Sequence, residues 1–114
     1  MKSDVSEVFS ALGDNTRRTI YEQLLDRPLG STATELAKSA SVSRQAIVKH
    51  LQILESAGLA EALREGREVR YLALARGTEH ATQWLIDHGA AWDRRIAALE
   101  RKASATRPTL RGRP

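Results

Sequence analysis

The stretch that decides the fold is "TATELAKSASVSRQAIVKHLQILESAGLAE", residues 32–61. It opens on a helix-start signal. Thr32 with Glu35 three positions on forms a capping box ahead of the short apolar face of Leu36 and Ala37. A second start follows closely, where Ser41 or Ser43 can cap a helix running to about Ala57, and Gly58 can take the positive φ that stops it. Ile47, Leu51 and Leu54 fall within one narrow arc of that second helix, and Leu59 closes its base. Two helices joined by so short a link turn sharply on each other, so the spacing predicts a helix-turn-helix unit.

The flanks complete the architecture. Upstream, Val5, Val8, Phe9 and Leu12 recur at helical spacing up to Gly13, and Asp14 is placed to cap a second helix carrying Ile20, Tyr21 and Leu24. Pro28 and Gly30 end it. Downstream, "LAEALREGREVRYLAL" alternates Val69 and Tyr71 with charged Glu68 and Arg70, and predicts a hairpin turning near Glu65–Gly66. From about Arg76 to Arg101 the helical period returns with Trp84, Leu85, His88, Trp92, Ile96 and Leu99. The fold class is therefore mainly α with a β-hairpin wing: a winged helix-turn-helix over residues 1–101, followed by a basic tail at 102–114 without apolar rhythm or expected fixed structure.

Composition narrows the function classes. The 114 residues suit one domain, and cysteine is absent, which excludes disulfides, zinc–thiolate sites and thiol redox sensing. No apolar run is long enough for a membrane span or a signal peptide, so a cytoplasmic location without membrane association is expected. The net charge of +4 equals the four cations of the tail, Lys102, Arg107, Arg111 and Arg113, so the remainder is neutral overall. DNA binding must then be argued from where the charges sit.

They sit informatively on the second helix of the helix-turn-helix. The side away from Ile47, Leu51 and Leu54 carries Gln45, Val48, Lys49 and Gln52, with Arg44 at its edge and no acid before Glu55. Arg and Lys can donate to guanine O6 and N7, Gln pairs bidentately with adenine, and Val48 suits a thymine methyl. Ser43 at the helix start can hold a phosphate with its hydroxyl and the free backbone N–H groups. On the wing, Arg64, Arg67 and Arg70 are diluted by Glu61, Glu65 and Glu68, yet arginines at a tip can enter a minor groove. Arg67 is the strongest wing candidate; Arg70 reads equally as a contact or as a structural ion pair.

His50 lies between the core and the outward face, with Ala46 and Leu54 at the positions one turn away and no acid or nucleophile to work with. It reads as a boundary residue bonding to backbone or phosphate. With scattered carboxylates and no glycine-rich phosphate loop, the chain is not expected to be an enzyme.

Three segments, "VFSALGDNTRRTIYEQLL" at 8–25, residues 32–61 above and "REGREVRYLAL" at 64–74, together resemble the ArsR/SmtB family of bacterial winged-helix transcriptional repressors. The resemblance implies a homodimer binding a palindromic operator in double-stranded DNA, usually near its own promoter. It places Ser43, Arg44, Gln45 and Lys49 at DNA-facing positions, and Val48 where many members have Ser. Metals are familiar inducers in the family. One of its sites uses cysteines in or near the recognition helix, which this chain lacks; another uses an Asp-x-His and a second pair from the partner subunit. Here Thr78 replaces the Asp, His80 matches the His, and Ala91 and Arg94 stand at the second pair. His80 and His88 are about 12 Å apart along a helix and cannot share one ion within a chain, which leaves open only a nonstandard site across subunits. The final helix is similar to a subset ending in two tryptophans and an R(L/I)xxLE motif, matched by Trp84, Trp92, Arg95, Ile96, Leu99 and Glu100, whose members generally lack recognised metal sites. No cofactor is therefore expected, and the existence of an inducer, such as an unidentified small molecule, stays open.

Dimerisation is expected through the first and last helices: Val5, Val8, Phe9 and Leu12 with Leu85, His88, Trp92, Ile96 and Leu99, Trp92 acting as anchor. The competing functions are a metal-responsive repressor with a nonstandard site and a winged-helix protein-interaction module without DNA binding. The latter calls for an apolar or acidic recognition face, which these residues do not supply.

Overall fold

The computed structural model describes residues 5–106. In chain order the elements are α1 (Val5–Gly13), α2 (Asn15–Leu25), β1 (Ser31–Thr32), α3 (Ala33–Ala37), α4 (Arg44–Ser56), β2 (Ala60–Glu65), β3 (Glu68–Ala73) and α5 (Arg76–Thr106). They divide into two compact units, one ending at Ala81 and the other beginning at Thr82, so α5 starts in the first and supplies the described part of the second.

In the first unit, caps set the helix starts. Asp14 accepts from the Arg17 backbone at 2.9 Å to begin α2, and Thr32 and Glu35 close a reciprocal capping box on α3. Ser43 accepts from the Ala46 backbone at 3.1 Å to begin α4. Gly58, at φ 81°, releases the chain from α4 into β2. The core side of α4, Ile47, Leu51 and Leu54, is fully buried together with Val8, Leu36 and Leu59. Burial of each large aliphatic side chain is worth about 1.5–3 kcal/mol, and this shared core fixes which side of α4 remains outside.

The wing pairs Ala60–Ala73 through Glu65–Glu68, leaving Gly66 and Arg67 as a two-residue turn. Gly66 takes φ 62° while no non-glycine residue among the described residues has positive φ, the pattern of a type II′ hairpin. A strand not anticipated from the sequence, β1, adds to the outer edge of β3 with Ser31 opposite Tyr71, giving the antiparallel order β1-β3-β2. Gly77, at the start of α5, packs on the Gly58 carbonyl so closely that a Cβ there would overlap it.

The second unit is the remainder of α5. Its large apolar side chains Trp84, Leu85, Ile86, Trp92, Ile96 and Leu99 are all exposed, Trp92 by 60%. The Trp84 and His88 rings stack with centroids 3.9 Å apart, and the Arg95 guanidinium lies 5.7 Å from the centre of the Trp92 ring. The helix continues five residues past the expected boundary at Arg101, so the first part of the supposed tail is helical through Thr106. Alanine and serine in "KASAT" offer no apolar rhythm but do not break a helix. Residues 107–114, with Arg107, Arg111 and Arg113, lie outside the described residues.

Candidate nucleic-acid interface

Because Ile47, Leu51 and Leu54 anchor α4 from one side, its opposite side exposes Ser43, Arg44, Gln45, Lys49 and Gln52. The first turn contains no acid, so the positive end of the helix dipole is uncompensated there. The Ser43 hydroxyl oxygen accepts from the Ala46 backbone, which leaves its O–H proton to donate outward. Arg44 Nε donates to Thr34 Oγ1 at 3.0 Å, which parks the guanidinium against α3. That exposed hydrogen bond is worth only about 0.5–1.5 kcal/mol, so a phosphate or guanine can recruit the group from it.

Val48 is not part of this free face. It is half-buried and packs against the core, because the wing folds over it. Between α3, α4 and the wing lies a groove of about 380 Å³ that brings Thr34, Arg44, Val48, Gln52, Arg67 and Val69 together. The hairpin thus carries Arg67 to the rim of the α4 face, although the two are well separated in sequence. Arg64 is exposed on β2.

Arg70 is placed differently. Its side chain is only 25% exposed, Nε donates to Glu65 Oε1 at 3.0 Å, and one terminal nitrogen donates to the Gly30 carbonyl at 3.3 Å. The same nitrogen is 3.7 Å from Glu35 Oε1. The Glu65 hydrogen bond, with the nearby glutamates, holds the Arg70 guanidinium more firmly protonated than usual. Glu35 in turn accepts from the Thr32 backbone at 3.1 Å and the Ser31 hydroxyl at 3.0 Å, and these bonds, backed by Arg70, hold its carboxyl below the usual carboxylate range. Arg70 joins the wing to β1 and α3.

His50 is half-buried at the boundary, and its Nδ1 lies 3.2 Å from an Arg17 terminal nitrogen. Its partner is a side chain rather than the expected backbone or phosphate. Arg17 has no role among the sequence expectations for residues 14–25, although it stands three residues after the Asp14 cap.

Of the expected dimer residues on α1, Val8 is fully buried in its own unit and offers nothing to a second chain; its position on the inner arc of a short helix explains why. Phe9 is exposed, whereas Val5 and Leu12 are half-buried. On α5, Leu85, His88, Trp92, Ile96 and Leu99 are exposed, joined by Trp84 and Ile86. His88 Nδ1 is 2.8 Å from the Trp84 carbonyl, and no group of three His, Asp or Glu residues that could hold a metal occurs among the described residues. Nor, among those residues, is any helix long and apolar enough to cross a membrane.

Comparison with known proteins agrees with this geometry. A family model described as a helix-turn-helix domain matches residues 12–62. The chain is 41% identical over 73 residues to the uncharacterized HTH-type transcriptional regulator YuzN of Bacillus subtilis, covering 59% of this chain and 78% of that one. It is 28% identical to the transcriptional repressor SdpR of the same organism, over 73% of this chain and 90% of that protein. Among solved structures, an ArsR-like transcriptional regulator from Rhodococcus sp. RHA1 superposes with a TM-score of 0.73 at 42% identity, covering 87% of this chain and 92% of that one. Regulators of this kind bind DNA and catalyse no reaction. With the helix-turn-helix, the wing and these relatives in agreement, the chain belongs to the ArsR/SmtB-like family of helix-turn-helix transcriptional regulators.

Proposed function

We propose that the protein is a homodimeric repressor that binds a palindromic operator near its own promoter. The observation that carries this reading is the exposed face of α4, without an acid before Glu55, beside a groove rimmed by Arg67. In this reading α4 lies in the major groove. Arg44, Gln45, Lys49 and Gln52 read base edges or phosphates, and Ser43 with the helix N-terminus holds a phosphate. Half-buried Val48 lines the groove beside them, where a thymine methyl would pack against it. Arg67 and Arg64 reach the adjacent minor groove, whereas Arg70 is a strut that sets the wing rather than a DNA contact.

The dimer supplies the operator's two-fold symmetry, setting two recognition helices roughly 34 Å apart. Exposed Leu85, Trp92 and Leu99 recur every second turn of α5, with His88 and Ile96 between, a stripe suited to a partner helix. On α1, exposed Phe9 and half-buried Val5 and Leu12 are further residues proposed to meet the partner. Repression follows from occupying promoter DNA, and the name of the relative SdpR points the same way. A small-molecule inducer would act by favouring a dimer with the helices at the wrong separation.

Footprinting and electrophoretic shifts on the gene's own upstream region test this. The expected result is a protected, two-fold symmetric site whose affinity falls steeply for the R44A/K49A double variant. Weak, sequence-independent binding that is equal for wild type and double variant would refute it and favour a protein-interaction module.

A further inference from the structure

Arg17 joins three helices at one guanidinium. Asp14, capping α2, accepts from the Arg17 backbone at 2.9 Å and so fixes where the side chain leaves the helix. Arg17 Nε donates to the Ala11 carbonyl at 2.7 Å, and a terminal nitrogen reaches the Ser10 carbonyl at 3.4 Å. Both carbonyls belong to the last turns of α1, where backbone acceptors run out of intrahelical partners; Arg18 takes the next one, Leu12. The other terminal nitrogen of Arg17 meets His50 Nδ1 at 3.2 Å, in the middle of α4. Arginine has donors only, so His50 Nδ1 must be the lone-pair nitrogen and the ring proton sits on Nε2.

We infer that Arg17 and His50 form a strut that fixes the rotation of α4 about its axis relative to α1, making both positioning residues for DNA reading rather than DNA contacts. The inference rests on the reading of α4 as the recognition helix. His50 is flanked in sequence by Lys49, on the exposed face, and Leu51, fully buried. A turn of α4 that moved His50 away from Arg17 would therefore re-aim Lys49 and Gln45 as well. The apolar residues Ile47, Leu51 and Leu54 hold α4 down without direction, since apolar packing is non-directional. The planar guanidinium fork, by contrast, demands one orientation of the ring. The Arg44–Thr34 bond ties the first turn of α4 to α3, and the strut ties its middle to α1 and α2. Because α1 also contributes Phe9 to the proposed dimer face, the strut is a direct link between the dimer and the angle at which α4 meets DNA.

The test uses the full chain with R17M, H50L, H50N and the R17M/H50L double variant. R17M keeps the aliphatic stem and removes the donors; H50N keeps a side-chain acceptor near the Nδ1 position, and H50L removes it. Operator affinity is expected to fall about tenfold for R17M and for H50L. The double variant should fall by about the same tenfold, because the two act through one bond, and H50N should recover most of the loss. The slope of log affinity against log salt should match wild type in every variant. An R17M slope reduced by about one would make Arg17 a phosphate contact and overturn the inference, as would additive losses in the double variant.

Ring-nitrogen NMR of histidine-labelled protein provides an arm that needs no DNA. Wild-type His50 should show an unprotonated Nδ1 whose signal moves in R17M; a proton on Nδ1 overturns the strut directly. The expected ring signature in a wild-type protein that binds no operator would instead refute the proposed function, and with it the strut's role in reading, while leaving the Arg17–His50 link in place.

Discussion

Replacing Gly30 with alanine should separate two costs that this fold imposes on one backbone position. Gly30 has φ 83°, a conformation that costs an L-residue roughly 1–2 kcal/mol. An added Cβ would also lie 2.6 Å from the Tyr71 carbonyl oxygen, 3.0 Å from Leu72 Cγ and 3.1 Å from Arg70 Cγ. The first of these is backbone in the central strand, which cannot step aside without disturbing the β1–β3 pairing at Ser31 and Tyr71. Overpacking of that kind adds about 1–3 kcal/mol. Gly66, at φ 62°, has nothing within 4 Å of its virtual Cβ, so G66A carries the conformational cost alone. At roughly 4–8 °C per kcal/mol for a domain of this size, G30A should lower the thermal midpoint by about 10 °C or more and G66A by about half as much or less. Circular dichroism of the two variants and of G66N, whose asparagine tolerates positive φ, measures this directly. G30N should gain nothing, because its Cβ is where the overlap lies. Equal shifts for G30A and G66A would refute the claim that close approach to Tyr71, and not backbone torsion alone, requires glycine at residue 30.

Three further outcomes follow from the charges and rings. Asp14 and Glu35 are held below their ordinary carboxylate values first by backbone hydrogen bonds, from Arg17 and Thr32 respectively. The folded chain therefore favours their ionised forms; the stability they add is present above the ordinary carboxylate range and is lost as pH falls through the lowered folded values. E35Q and D14N should each flatten the acid side of a stability–pH profile measured by urea unfolding. Tyr21 and Tyr71 are both raised above 10.0, chiefly by burial, so their neutral phenols are favoured in the fold. Their contribution is complete below the ordinary value and is lost as pH climbs through the raised one, so phenolate absorbance should appear at higher pH in the folded chain than in the chain unfolded by urea. Finally, W92A should weaken self-association by about 2 kcal/mol or more in sedimentation equilibrium, with helix content unchanged; a variant that dimerises like wild type would remove Trp92 as the anchor.

Local chemistry explains which features were readable in advance. The capping box of Thr32 and Glu35, the Ser43 and Asp14 caps, the stop at Gly58 and the buried arc of Ile47, Leu51 and Leu54 each depend on residues within about one or two turns, and all are in place. The features that differ depend on partners far along the chain. Strand β1 exists because Ser31 and Thr32 pair with β3, and two residues carry no alternation of their own. Val48 looks outward on a helical wheel, but the wheel omits the wing, which brings Val69 and Arg67 across from twenty residues downstream. The last helix outruns its expected end because the apolar period stops near Leu99, whereas alanine sustains a helix by propensity alone.

Arg70 and Arg67 differ by their surroundings and not by residue type. Both are arginines on one hairpin, flanked by glutamates; the sequence favours Arg67 as the wing contact and leaves Arg70 equally a contact or a structural ion pair. Their places in the hairpin separate them. Arg70 lies opposite Leu63 within the paired ladder and next to β1, where Glu65 and the Gly30 carbonyl accept from its Nε and one terminal nitrogen and Glu35 adds an ion pair. Arg67 sits in the two-residue turn, beyond the last paired residues Glu65 and Glu68, and stays exposed at the groove beside α4. A guanidinium already spent on internal acceptors would have to break them to bind a phosphate, whereas one at a hairpin tip gives up only water. The wing thus divides its arginines between a strut that sets its angle and a tip free to reach DNA. R70M should therefore reduce stability and operator affinity together, whereas R67A should reduce operator affinity alone.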